Sequence, residues 1–93
     1  MKQFMFPNIT FTIQVFREGQ VFVAHNSELN VSSCGDTMEE ARKNLKDAVR
    51  GFLKSAHKMG TLQNILEDAG YYFRKNGWQD PQLMVMDRFS ITA

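Results

Sequence analysis

The chain has 93 residues, enough for one domain with one modest core and too few for two. At 43% hydrophobic and 23% charged residues it falls outside the disordered class, and a net charge of +1 supplies no global field for nucleic acid or an anionic membrane. Its single cysteine, Cys34, cannot close an internal disulfide, so a reducing cytoplasm is the expected compartment.

Residues 1–16 carry Lys2 but are interrupted by Gln3, Pro7, Asn8 and alternating threonines, a composition that fits neither a signal peptide nor a membrane span. Over residues 10–17, Phe11, Ile13 and Val15 alternate with Thr10, Thr12, Gln14 and Phe16, the period of a strand with one buried face. Glu18-Gly19 is a short turn, and residues 20–25 resume with Val21 and Val23 opposite Phe22 and Ala24. Two such runs about a glycine turn predict a hairpin. His25-Asn26-Ser27 reads as a loop, and residues 29–34 as a third, less apolar strand.

A long helix is predicted over residues 38–59. Thr37 and Glu40 stand in capping-box relation, in which the hydroxyl accepts from a backbone N–H one turn on and the carboxylate reaches back to the cap's own N–H. Met38, Ala41, Leu45, Ala48, Val49, Phe52, Ala56 and Met59 converge on one side at about 100° per residue. Glu39 and Glu40 in the first turn, and Lys54, His57 and Lys58 in the last turns, complement the helix dipole. Gly51 lies on the flank of the stripe, where it costs about 1 kcal/mol relative to alanine.

Gly60 stops this helix, and Thr61 is placed to cap a second through Leu62, Ile65, Leu66 and Ala69, ended by Gly70. Polar turns at Asn76-Gly77 and Asp80-Pro81 bracket the lone Trp78. Residues 82–87 alternate again, Leu83 and Val85 opposite Met84 and Met86, and Phe89 and Ile91 extend the pattern. The order β-β-β-α-α-β predicts a single α+β domain over residues 1–93. In it a three-stranded antiparallel meander and a C-terminal strand pack on one long and one short helix.

No set of groups able to do chemistry converges in this pattern. Nucleophilic catalysis would need Cys34 or a serine beside an oriented base, and His25 could approach Cys34 only if their strands pair, with no third group to orient it. His25, Cys34 and His57 lack the count and spacing of a zinc site, and Asp36, Glu39 and Glu40 are accounted for by capping and dipole complementarity. No catalytic residue, metal or cofactor is expected, and the chain is read as a non-enzyme.

Two surfaces stand out instead. Phe16, Phe22, Met84 and Met86 fall opposite the clearest core positions, which makes them candidates for an exposed apolar partner-binding patch. Lys43, Lys46, Arg50 and Lys54, continued by Lys58, form a basic row on the far side of the long helix. Such a row could track RNA phosphates, although Asp47 and Glu39 dilute it and no aromatic residue interleaves for base stacking.

The run Glu28-Leu29, then Cys34-Gly35-Asp36-Thr37-Met38-Glu39-Glu40-Ala41, then Asn44-Leu45-Lys46-Asp47-Ala48, resembles the HicB family of antitoxin-type proteins. It follows that family's strand, G-D-T turn, E-E-A helix start and N-L-x-x-A continuation, over roughly residues 10–60. The resemblance implies a partial ribonuclease-H-like fold without nuclease carboxylates, and a partner that is a small basic HicA-like RNA-cleaving toxin. It also implies self-association, and an open sheet has edges at which a homodimer could form. Past Gly60 the chain lacks the two consecutive helices of a helix-turn-helix, so DNA binding is not expected.

Overall fold

A computed structural model describes residues 9–75 and 77–92; the readings placed on residues 1–8 and on Asn76 lie outside them. The elements are β1 (Gln14–Glu18), β2 (Val21–Asn26), β3 (Val31–Gly35), α1 (Met38–Lys58), α2 (Leu62–Asp68), β4 (Tyr72–Arg74) and β5 (Gly77–Gln79). The first three strands form an antiparallel sheet in the order β1-β2-β3, and β4 and β5 pair as a separate hairpin. The α+β class and the β-β-β-α-α-β layout are therefore those expected, with the closing β element a short strand pair.

α1 packs on one face of the sheet, chiefly against β3 and β2. Ala24 of β2 and Ala41, Leu45, Val49 and Leu53 of α1 form the centre of the core, joined by Leu66 of α2 and by Tyr71. The pairs Val15↔Ala24 and Arg17↔Phe22 lie on the helix side, and Phe16↔Val23 and Gln14↔His25 on the other. Phe11, Ile13 and Val15 pack against the core as expected, and so does Phe22. That last placement is a correction. Register puts Phe22 on the same side as Ala24, under the helix, not on the open face with Phe16.

The buried stripe of α1 also differs from the expected one. Ala41, Leu45, Val49, Leu53 and Ala56 are buried, whereas Met38, Phe52 and Met59 are exposed. From Ala41 to Leu53 contact advances in steps of four. A helix crossing a twisted sheet stays in touch along such a ridge, and of the seven-residue row Met38, Leu45, Phe52 and Met59 only Leu45, where the ridge crosses it, is buried.

Local chemistry sets the ends of both helices. Thr37 Oγ1 accepts from Glu40 N at 3.0 Å, but the Glu40 carboxylate takes Asp36 N at 2.7 Å, one residue before the cap. α1 closes in a Schellman arrangement, with Gly60 N on His57 O at 3.1 Å and Thr61 N on Ala56 O at 2.9 Å. α2 ends the same way: Gly70, at φ +98, bonds Glu67 O, and Tyr71 N bonds Leu66 O at 2.9 Å. Thr61 does not cap α2 with its side chain; its hydroxyl turns back to Ala56 O at 3.3 Å.

β1 starts at Gln14, four residues after the expected start at Thr10, because residues 10–12 have other partners. The Glu28 carboxylate accepts from Thr12 N at 2.9 Å, Thr12 Oγ1 at 2.7 Å and the Asn26 amide at 2.8 Å. Asn26, fully buried, also donates to Thr12 O and accepts from Leu29 N. Tyr71 Oη donates to Thr10 O at 2.6 Å. Every polar group of this cluster has a partner, as a buried network requires.

Candidate protein-binding surface

With α1 on one side, no helix or strand among the described residues covers the other side of the sheet. It presents Gln14, Phe16 and Glu18 from β1, Val21, Val23 and His25 from β2, and Ser32 and Cys34 from β3. Phe16, Val23 and Cys34 stand in one row across the three strands. Phe16 is 50% exposed, a large cost for an aromatic ring left in water. Glu18 is the one carboxylate among these strand residues, and no lysine or arginine accompanies it.

His25 does not meet Cys34. Register pairs it with Ser32, whose hydroxyl lies 2.6 Å from His25 Nδ1, and pairs Cys34 with Val23. The imidazole and the Ser32 hydroxyl thus stand within hydrogen-bond reach, with no carboxylate among the described residues bonded to the ring to orient it. Among the described residues no group of three or more His, Cys, Asp or Glu is placed to hold a metal ion. No helix among them is long and apolar enough to cross a membrane.

Met84 and Met86 do not lie in a strand. Residues 80–92 have no regular secondary structure, and every residue from 82 to 92 is exposed, Met84 by 82% and Phe89 by 83%. The alternation in this segment suits a strand, but among the described residues it pairs with no strand. The aromatic strand pair lies earlier, where Phe73 and Trp78 face each other across β4 and β5 at 5.5 Å between ring centroids. The Asn76-Gly77 pair marks a turn in this stretch, but register pairs Gly77 with Arg74 as the first residue of β5.

The arm formed by residues 82–92 is rooted beside β1. Asp80 Oδ1 accepts from Thr10 N at 3.0 Å, and Pro81 lies against Gly70, 3.4 Å from where a Cβ would stand. Farther along, the Gln14 amide meets Met86 Sδ at 3.9 Å. Of the expected patch, Met86 therefore lies beside Gln14 of the face that carries Phe16, Phe22 lies on the other side, and Met84 is exposed on the irregular arm.

On the back of α1, the basic row encloses an open depression lined by Glu39, Arg42, Lys43, Lys46, Asp47 and Arg50. Asp47 sits among these cations and engages two of them, Lys43 at 3.0 Å and Arg50 at 3.1 Å. The Lys43 hydrogen bond and charge, and secondarily Arg50, hold the Asp47 carboxyl below its ordinary pKa. Two of the four residues expected to contact RNA are thus tied to a carboxylate, while Lys46 and Lys54 stay exposed.

No family model, curated protein or solved structure matches the chain.

Proposed function

We propose that this chain is a HicB-like, cytoplasmic interaction module that binds a small HicA-like RNA-cleaving toxin and masks it, with no chemistry or cofactor of its own. The observation that carries the reading is the open sheet face, where Phe16 and Val23 lie exposed or half-buried opposite the helix-covered core. Its charge suits a basic partner, since Glu18 stands on this face while the lysines of α1 lie on the far side. The motif residues behind the resemblance also have physical work in the fold. Thr37 caps α1, Ala41 and Leu45 fill the core, and the Asn44 amide donates to Cys34 O at 2.8 Å.

The test is to co-express the chain with a small basic protein, bearing one central histidine, from the neighbouring reading frame. Co-purification and loss of that protein's RNA cleavage support masking, and Phe16→Asp should abolish both. Absence of such a partner, or undiminished cleavage within a complex, would remove the reading.

A second reading is RNA binding along Lys43, Lys46, Arg50 and Lys54, favoured by the exposed cations around the α1 depression. It requires affinity that falls steeply with salt. Arg50→Glu with Lys54→Glu would abolish it while leaving a toxin complex intact.

A further inference from the structure

The arm carries a run of exposed apolar side chains among the described residues. Leu83, Met84, Val85, Met86, Phe89 and Ile91 are each more than half exposed. Side chains at odd positions run Leu83, Val85, Asp87, Phe89, Ile91, and those at even positions run Gln82, Met84, Met86, Arg88, Ser90, Thr92. The odd face is apolar save one carboxylate and the even face is mixed, the pattern of a strand with one side buried. Yet among the described residues no backbone–backbone hydrogen bond reaches residues 82–92.

The sheet offers the complementary vacancy. In the order β1-β2-β3, β1 is an edge, and its outward backbone groups have no strand partner among the described residues. The arm's own course would make pairing with its own β1 parallel, the less stable kind. It leaves Thr10 at Asp80 and reaches Gln14 at Met86, so it runs in the same direction as its own β1, meeting it through the Gln14 and Met86 side chains and through no backbone hydrogen bond among the described residues. A two-fold axis normal to the sheet reverses strand direction. An arm parallel to its own β1 is therefore antiparallel to the β1 of a second copy, the better-bonded arrangement.

We propose that two copies of this chain exchange residues 82–92, each arm forming a fourth strand antiparallel to the other's β1 edge. Charge selects the register. The edge carries Arg17 on the helix side, and the arm carries Asp87 on its apolar side. Setting Asp87 opposite Arg17 brings Phe89 beside Val15 and Ile91 beside Ile13, so the apolar side of the arm extends the existing core. In this register residues 86–90 oppose β1 and Ile91 opposes Ile13, while Leu83, Met84 and Val85 run past the turn after Glu18, so the shared apolar contact comes chiefly from Met86, Phe89 and Ile91 of each arm. The exchange bears on the masking reading, because the second copy's arm then extends the open face by one strand, with Met86 opposite Glu18 and Arg88 opposite Phe16. It rests on that reading only for this last consequence.

The experiment uses the full chain without any toxin, so its failure is separable from failure of the masking reading. Sedimentation should give twice the chain mass at micromolar concentration. In a Cys34→Ser background, Gln14→Cys and Ser90→Cys occupy opposite positions of this register. Mixing the two single variants under mild oxidation should give a disulfide-linked heterodimer. Phe89→Asp with Ile91→Asp should weaken dimerisation by roughly tenfold or more while leaving the melting of the monomer unchanged, since both side chains are exposed in it. Asp87→Arg should weaken the dimer, and Arg17→Asp in the same chain should restore it. A monomeric wild-type chain, no cross-link between the mixed variants, or a dimer indifferent to the arm substitutions would overturn the proposal.

Discussion

A Cβ added to Gly35 would stand 2.6 Å from the backbone nitrogen of Ala41, and 2.9 Å from the carbonyl carbon of Glu40. The last residue of β3 and the first turn of α1 approach so closely that only hydrogen fits between them. Gly35→Ala must therefore push the helix start off the sheet, where Ala41 is fully buried. The expected cost is about 2 kcal/mol, in the range of an overpacked core, measured by urea denaturation with the midpoint falling at unchanged slope.

Gly51 presents the opposite case. It lies mid-helix in α1, and nothing stands within 4 Å of the position a Cβ would take. Gly51→Ala should stabilise the chain by about 1 kcal/mol through backbone entropy alone. An unchanged or lower melting temperature would show that some contact needs this position bare.

Glu28 has a structural task that its charge conceals. Three donors converge on its carboxylate, one of them the amide of the fully buried Asn26. Glu28→Ala removes the acceptor but leaves the donors, and orphaned buried donors cost about 1–3 kcal/mol. Thermal melting should show the loss, and hydrogen exchange at Thr12 should accelerate.

Tyr71 makes stability depend on alkaline pH. Burial, and then the nearby charges of Glu28 and Asp80, push its phenol well above the ordinary value of 10.0. The folded chain thus holds this proton more tightly than the unfolded chain does. Stability from this group is complete below pH 10.0 and is lost as the pH rises above it, where the unfolded phenol ionises first. Tyr71→Phe should cost about 1 kcal/mol at neutral pH for the lost bond to Thr10 O. Its stability should also fall less steeply than that of the wild type above pH 10.0. Parallel curves for the two proteins would contradict the assignment.

What could be read along the chain was set by neighbours in sequence. The hairpin, the Thr37 cap and the glycine stops at Gly60 and Gly70 depend on bonds spanning at most a few residues, and the structure has them. The misplacements share the opposite cause. Phe22 and the Met38–Phe52–Met59 row were assigned by period alone, and period does not say which side a helix will cover or at what slant. The alternation of residues 82–91 is a strand pattern, yet among the described residues the segment pairs with no strand. The candidate surface was legible to the same degree: Phe16 from its alternation, and Met84 and Met86 as exposed side chains outside any strand.

The bond from Thr10 N to Asp80 spans 70 positions, and Tyr71 fastens the same residue across 61. During synthesis the first strand must therefore wait, unclasped at its beginning, until everything through the second helix and the small hairpin has left the ribosome. A nascent chain arrested before Tyr71 would hold the meander and the long helix but lack this clasp, so proteases should find its leading segment long before they find the finished protein's.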